Sequence, residues 1–265
     1  MQADYHIHTI LCKHAEGEME AYVQTAVEKG FDEIGFSDHA PVLDVYDQDH
    51  RMAWDLFPRY VDSVLALRES SPNIHIRLGI EADAYPGFES SLEKLLSNYP
   101  IDYVIGSVHF IDGEPLFNCP LPQLSGAEIE SLLELYFARL KQSLQSGLFD
   151  VYAHLDVIKW HYSAWTPLIE KESQILLDEI AKRGKCIELN SSGLRKKPGE
   201  MYPSPNILKF ACERGIPVIF GSDAHRPAET GAGHQEADAL LRQIGYRKSA
   251  RKINEFIAYE PHFSR

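Results

Sequence analysis

The chain has 265 residues, 44% of them hydrophobic, with 39 acidic and 26 basic side chains and a formal charge of −13. That length and composition are typical of one large domain, which we expect to span residues 1–265. The acidic balance disfavours extended nucleic acids as partners, although a small phosphorylated molecule can still bind where cations dominate the local field.

Cysteine usage and hydropathy predict the compartment. The four cysteines are scattered and form no CxxC pair, which is typical of reduced thiols rather than of a disulfide framework. No apolar run approaches the length of a membrane span, and a strand predicted from about Asp4 leaves no room for an apolar leader. We therefore expect a cytoplasmic protein without a membrane partner.

Strand-like and helix-like runs alternate along the whole chain. Strands are expected at Asp4–Thr9, Glu33–Ser37, His75–Glu81, Tyr103–His109, Val151–His154, Cys186–Asn190 and Pro217–Ser222. Helices are expected at Glu18–Lys29, Trp54–Ser70, Phe88–Asn98 and Ala127–Ser146, then from Thr166-Pro167 to about Arg183, from Ser204-Pro205 to Gly215, and at Gln235–Gln243. This alternation predicts an α/β fold with parallel strands, in the form of a distorted seven-stranded (β/α)7 TIM-like barrel.

Two long loops follow predicted strands. Ala40–Ala53 carries Asp44, Asp47 and Asp49, and Ile111–Gly126 is rich in proline. Because both follow strands that carry polar motifs, we expect them to overhang a pocket and shape substrate choice, with variable surface loops as the alternative.

Histidines and carboxylates stand at, or just after, the ends of the predicted strands. They are His6, His8, His14, His39, Glu81, His109, His154, Asp223 and His225. Each of them alone has a structural alternative, such as a capping or buried hydrogen-bonded residue. Together they are more specific, because the carboxyl ends of parallel strands in a barrel open onto one pocket. Imidazole and carboxylate groups in one pocket predict a metal site.

Spacing assigns expected roles within this set. His6 and His8 are two residues apart on a strand and so face the same side. Asp38 is expected to orient a ligand from outside, and Glu81 to bridge two cations, with Asp83 as the alternative. Cys12 is interpreted as a small neighbour rather than as a ligand. Four of the remaining histidines are interpreted as structural or surface residues, and the fifth, His161, is expected to reach the pocket from the loop after the fifth strand; the four are His50, His75, His234 and His262.

Nine ligands suffice for about three divalent cations, zinc, iron or manganese, with positions left open for water and substrate. Open sites of this kind are usually catalytic, and we expect Asp223, His225 and Glu81 to serve the reaction directly. Substrate contacts are expected from four residues near the pocket mouth: Arg195 and Ser192 in the segment NSSGLR, and Lys159 and His161 after the fifth strand.

The motifs DYHIHT, CKHA, GIEAD and GSDAH together resemble the polymerase and histidinol phosphatase (PHP) family, above all its histidinol-phosphate phosphatases. The resemblance implies hydrolysis of L-histidinol phosphate to L-histidinol and phosphate in histidine biosynthesis, by a metal-activated hydroxide at a trinuclear site. It also implies three ligand sets: His6, His8, Glu81 and Asp223; Glu81, His109 and His154; and His14, His39 and His225. NSSGLRK resembles the family's phosphate-binding segment around Arg195.

Three other functions stay open at this point. The nearest is a PHP-type phosphoesterase or nuclease that acts on nucleotides or short oligonucleotides. A metal-dependent amidohydrolase also begins with HxH on its first strand, but Glu81 and the CKHA motif fit that class poorly. A non-catalytic metal-binding module is disfavoured by the open coordination positions.

Overall fold

The computed structural model describes residues 1–41, 49–116, 125–160 and 165–262. Its strands are β1 Ala3–Ile7, β2 Glu33–Phe36, β3 His75–Asp83, β4 Tyr103–Ser107, β5 Phe110–Ile111, β6 Glu114–Pro115, β7 Val151–Tyr152, β8 Cys186–Asn190, β9 Val218–Gly221, β10 Tyr246–Lys248 and β11 Tyr259–Pro261. Its helices are α1 Met19–Glu28, α2 Phe57–Ser70, α3 Phe88–Asn98, α4 Gly126–Ser146, α5 Pro167–Lys182, α6 Pro205–Glu213 and α7 His234–Ile244.

Nine of these strands form one curled sheet in the order β1-β2-β3-β4-β7-β8-β9-β11-β10. From β1 to β9 every neighbouring pair is parallel, whereas β11 pairs antiparallel with β9 and β10 antiparallel with β11. The predicted α/β class with parallel strands is confirmed. The predicted count of seven is not, because β10 and β11 add two strands at one edge.

The two ends of the parallel array approach each other just beyond β1 and β9. Ile7 and Ala224 form a parallel bridge, in which the amide of His8 donates to the Ala224 carbonyl at 2.9 Å and the amide of Ala224 donates to the His6 carbonyl at 3.2 Å. The sheet therefore curls until its first and last parallel strands meet at their carboxyl ends.

Successive side chains of a strand point to opposite faces of the sheet, so the core has an outer layer under the helices and an inner layer inside the curl. The inner layer is filled by aromatic rings, with Tyr5, Tyr103 and Phe256 in mutual edge contact and Arg77 over their faces. Gly79 faces this layer, because a Cβ there would lie 2.2 Å from the Tyr103 ring. The amino-terminal end of the curl is thus packed solid, and the functional groups occupy the other end.

The helices begin and end close to the predicted positions. Thr166 caps α5, since its side chain accepts a hydrogen bond from the amide of Ile169. Ser204 makes no such bond at α6, and its own amide instead donates to Asp156. No helix among the described residues is both long and apolar enough to cross a bilayer.

The two long loops are described only in part. Residues 42–48, with Asp44 and Asp47, lie outside the described residues, as do residues 117–124. The second loop begins as a short hairpin of β5 and β6, with Phe110 opposite Pro115.

Candidate metal centre

All nine predicted ligands come together at the carboxyl end of the curled sheet. Seven of them line one pocket, and His6 and His8 lie fully buried beneath its floor. Backbone pairing continues past the ends of the strands and holds the candidate ligands close together. For example, His39 and Glu81 form a parallel bridge, in which the amide of Ala40 donates to the Glu81 carbonyl at 2.8 Å. Ligands from six parallel strands or their following loops therefore share one small volume.

Apart from His39, whose Nδ1 atom faces Glu81, five of the candidate histidines have an acceptor at Nδ1. Three are carboxylates: Glu188 at 2.6 Å from His6, Asp38 at 3.4 Å from His8 and Asp83 at 3.2 Å from His109. Two are backbone carbonyls: Cys12 at 2.8 Å from His14 and Asp223 at 3.1 Å from His225. Since an acceptor needs a donor, Nδ1 carries the hydrogen in each ring and the neutral imidazole presents its lone pair at Nε2.

These lone pairs point at one another. The Nε2 atoms of His14 and His225 are 2.8 Å apart, and those of His6 and His8 are 3.1 Å apart. Two neutral imidazoles cannot hydrogen-bond through two lone pairs, so each pair needs positive charge close to both nitrogens, either a metal cation or a proton on one of the rings. Outer carboxylates and carbonyls that hold Nδ1 are also the usual partners of metal-bound histidines, so this donor set fits divalent metal ions.

Glu81 lies at the middle of the cluster. One of its oxygens is 3.0 Å from His154 Nε2, and the other is 2.8 Å from His39 Nδ1 and 3.4 Å from His6 Nε2. The carboxylate therefore faces different histidines through its two oxygens, which is the arrangement expected of a bridging ligand. Asp83, the alternative bridge, instead pairs with Arg51 and with His109.

Negative charge is in excess around the centre. Five buried carboxylates surround it: Asp38, Glu81, Asp83, Glu188 and Asp223. Two of them have a basic partner, since Arg51 pairs with Asp83 and Lys196 lies 3.3 Å from Asp223. Buried charges are stable only when they are paired or coordinate a metal, so the remaining excess favours bound cations.

Side-chain pKa values show the same demand for positive charge. Burial would raise the pKa of the Glu81 carboxyl, but nearby histidines, His6 first, hold it well below its usual range. Burial would lower the pKa of His6, but Glu188 and Glu81 together raise it to about 10. Without metal, a proton on His6 thus supplies charge that a cation would supply. Burial, with the neighbouring His8, lowers the pKa of His14 and His225, which favours neutral, ligand-ready rings.

Two of the candidate ligands lie in backbone conformations that non-glycine residues rarely adopt. His154 has φ of 26° and Asp223 has φ of 53°. The surroundings hold both: the His154 amide donates to Glu188 at 3.2 Å, and the Ser192 hydroxyl donates to Asp223 at 2.8 Å. Such conformations cost about 1–3 kcal/mol each and persist at functional sites, where neighbouring structure fixes them.

Comparison with known families identifies the family of the chain. A profile of the PHP domain matches residues 4–192, which include seven of the nine candidate ligands, and a profile described as PHP-associated matches residues 206–246, which include the other two, Asp223 and His225. The chain belongs to the PHP family.

PHP relatives are similar along nearly the whole chain. A probable histidinol-phosphatase of Deinococcus radiodurans is 37% identical over 248 residues, which cover 92% of this chain and 94% of the relative. The histidinol-phosphatase of Bacillus subtilis is 29% identical and covers 88% and 96%. The histidinol phosphate phosphatase of Lactococcus lactis, solved with zinc, L-histidinol and phosphate, has the same fold, with a TM-score of 0.81 at 21% identity over 97% of this chain and 98% of that one.

The pocket of this PHP protein has a volume of about 520 Å³ and two kinds of wall. One wall is mainly apolar and carries Phe110 and Trp160, with Arg51 over the Phe110 ring, and the other is basic and carries Arg195, Lys196 and Arg226. Arg195 lies where it was predicted, and its guanidinium donates to the Ser222 carbonyl at 2.7 Å. The pocket therefore presents cations and an apolar surface to one ligand above the metal centre.

The structure does not support two of the predicted substrate contacts. Lys159 is buried away from the pocket, where its ammonium group donates to the Met201 carbonyl at 2.6 Å and pairs with Glu200 at 2.9 Å. Ser192 is buried and donates to Asp223, so it contacts a candidate ligand and does not face the pocket. His161 lies outside the described residues.

Sequence reasoning missed several residues of the centre. His50, interpreted as structural or surface, lines the pocket with its ring 5.6 Å from that of His14. Lys196, the neighbour of Arg195, was not among the predicted substrate contacts. Glu188 could have been predicted from the sequence. It is the one charged residue in the predicted strand CIELN, and a buried charge on a strand must face polar groups.

Close triplets of ligand atoms support more than one metal position. One joins His6, His8 and Glu81, and another joins His39, Glu81 and His109. His14 and His225 group with Cys12, so the thiol interpreted as a packing neighbour lies among potential ligand atoms. The triplets overlap, and the assignment of residues to individual ions therefore belongs to the proposal below.

Proposed function

We propose that this PHP protein is a metal-dependent phosphatase that hydrolyses L-histidinol phosphate to L-histidinol and phosphate. The observation that carries the proposal is the set of imidazole lone pairs that face one another beside a basic wall, in a chain 37% identical to a probable histidinol-phosphatase. The centre requires cations, and the basic wall suits a phosphate monoester.

Three divalent ions would be held by the ligand sets predicted above, with Glu81 shared by the first two and with His14, His39 and His225 on the third. When bound, such ions lower the pKa of water and offset the charge of phosphate oxygens. Zinc, which is bound in the Lactococcus structure, is the first ion to test, with iron and manganese as the others.

The chain's own residues would bind and orient the phosphate group. Lys196, 3.3 Å from Asp223 and partly exposed to the pocket, would donate to a phosphate oxygen. Arg195, fixed by backbone carbonyls, would present further donors from the same wall. Hydrolysis forms one P–O bond from water and breaks the ester P–O bond, and the proton released by water ends on the alcohol.

The apolar wall would receive the organic part of the substrate. Trp160 and Phe110 offer ring faces on which an imidazole ring can stack. Glu229 lies at the same pocket, with its side chain partly exposed, and offers a carboxylate to the substrate's ammonium group. These contacts account for a preference for a small cationic phosphate ester.

We also propose a barrel-like closure of the sheet, a single domain and a location for the protein. The seven parallel strands would form a distorted barrel that is closed by the Ile7–Ala224 bridge, within one domain of residues 1–265. A cytoplasmic location stays a prediction from the sequence.

Phosphate release on a panel of esters tests the proposal. Protein of measured metal content is assayed with L-histidinol phosphate, nucleoside monophosphates and p-nitrophenyl phosphate. We expect the highest kcat/KM for L-histidinol phosphate. A higher value for a nucleotide would contradict the proposed substrate and favour the nucleotide phosphoesterase, and turnover that survives removal of metal would contradict the mechanism.

A further inference from the structure

Glu188 is a fully buried carboxylate below the metal centre, on β8. One oxygen accepts from His6 Nδ1 at 2.6 Å. The other accepts from the backbone amide of His154 at 3.2 Å and from the side-chain amide of Asn190 at 3.1 Å. That Asn190 nitrogen also lies 3.4 Å from Asp223. Glu188 therefore touches two candidate ligands directly and a third through Asn190.

Every one of these contacts requires an acceptor at Glu188. The His6 ring faces its neighbours through Nε2, so its Nδ1 donates. The backbone amide of His154 can only donate. The Asn190 side chain accepts from the Ser192 amide through its oxygen at 2.9 Å, so its nitrogen also donates. A carboxylate satisfies all three donors, whereas an amide offers one accepting oxygen and places an NH₂ group against at least one donor.

Packing around Glu188 restricts its side chain to one position. A Cβ at Gly221 would lie 1.9 Å from a Glu188 oxygen and 2.8 Å from the Cβ of His6, so glycine at that point makes room for the pair. The amide of His154, where φ is 26°, is held by the same carboxylate. One side chain thus fixes a ring orientation on β1 and a strained backbone after β7.

We propose that Glu188 is a positioning residue that sets the geometry of the metal centre, by holding His6, His154 and, through Asn190, Asp223. The inference rests on the metal centre of the proposed function but not on its substrate. Loss of the outer carboxylate of a metal-bound histidine typically weakens metal binding roughly 10- to 100-fold. Because Glu188 holds three ligand residues together, we expect its loss to reach the upper part of that range.

A second buried carboxylate offers a matched control. Glu33 on β2 accepts from the Tyr5 hydroxyl at 2.6 Å and pairs with His75 at 3.0 Å, at the opposite end of the strands. Glu33→Gln therefore disturbs a buried carboxylate and its histidine partner without touching a candidate ligand. If only Glu188→Gln loses metal affinity, the loss is due to the contacts of Glu188 with the candidate ligands and not to the burial of a carboxylate in general.

The experiment measures zinc and manganese affinity by competition with a chromophoric chelator for the wild type, Glu188→Gln, Glu188→Asp and Glu33→Gln. Thermal unfolding of each metal-free protein is recorded in parallel. We expect Glu188→Gln to lose roughly 10- to 100-fold in affinity, Glu188→Asp to lose less because it keeps two acceptor oxygens, and Glu33→Gln to match the wild type.

A folded Glu188→Gln protein with wild-type affinity overturns the proposal, and so does an equal loss in Glu33→Gln. If Glu188→Gln does not fold, Glu188→Asp decides, and affinity equal to that of Glu33→Gln then overturns it. A wild type that binds metal but does not hydrolyse L-histidinol phosphate contradicts the proposed function alone, because the affinity measurement uses no substrate.

Discussion

Replacement of Gly221 by alanine tests the coupling between backbone packing and the metal centre. The added methyl group would meet a Glu188 oxygen at 1.9 Å and the His6 Cβ at 2.8 Å, far inside contact distance. Neither side chain has free space, since both are fully buried. Glu188 can move away only by giving up its 2.6 Å bond to His6.

The loss of stability has two sources, overpacking by the added methyl group and the loss of the hydrogen bond between Glu188 and His6. Overpacking of a buried site destabilises by about 1–3 kcal/mol. Loss of a buried hydrogen bond to a charged group adds about 1.5–3 kcal/mol. Their sum, about 2.5–6 kcal/mol, corresponds to a fall in Tm of about 5–12 °C for a chain of this length. Displacement of His6 should also lower zinc affinity by about tenfold or more.

Gly106→Ala is the matched control for this substitution. Its Cβ would meet the Phe149 ring at 2.1 Å, in the outer layer under the helices and away from the ligands. Urea unfolding and chelator competition are measured on both variants. We expect both to be destabilised but only Gly221→Ala to lose zinc affinity. A Gly221→Ala protein with wild-type Tm and affinity would refute the packing argument.

Four further outcomes are expected. Asp223→Asn should fold, because asparagine tolerates its φ of 53°, yet lose at least about 100-fold in kcat with L-histidinol phosphate. Lys196→Met should raise the inhibition constant of inorganic phosphate about tenfold, measured in the phosphatase assay, since one charge-assisted hydrogen bond is lost. Zinc affinity should fall between pH 8 and pH 6 in chelator competition, because protons compete for the ligands, among them His6, whose metal-free pKa is raised to about 10; a flat profile would count against this. Burial lowers the pKa of His234 to about 4, whereas this histidine has a pKa near 6.5 in the unfolded chain, so the unfolded chain binds more protons between these two values. His234 should therefore lower the free energy of unfolding by up to about 3 kcal/mol as pH falls from 6.5 to 4. In urea titrations, the free energy of unfolding of His234→Gln should fall by that much less, and an equal fall in the two proteins would contradict this reasoning.

The candidate centre was predictable because its residues stand at the ends of strongly patterned strands. Once β1 and β9 are parallel neighbours, His8 and Asp223 must approach each other, and they lie 3.4 Å apart. The PHP family was also recognised from these motifs, and the family profiles confirm it. Both predictions depended only on which residue types stand at the ends of the strands, and neither required the positions of side-chain atoms.

Other features depend on contacts that no local pattern encodes. Strands β10 and β11 are three residues long, and β11 ends in a proline, so neither has the alternation that marks a strand. Lys159 pairs with Glu200, 41 positions away along the chain, and only the folded loops decide that it turns from the pocket. Glu188 was recognisable as an inward-facing charge, but its three donors come from three other positions in the fold.

Removal and return of metal test the central claim most directly. The protein is stripped with a chelator, its metal content is measured by elemental analysis, and phosphate release from L-histidinol phosphate is followed while zinc or manganese is added back. We expect no turnover in the stripped protein and recovery that rises with bound metal to more than one ion per chain. Undiminished turnover in protein that holds no metal would contradict the account.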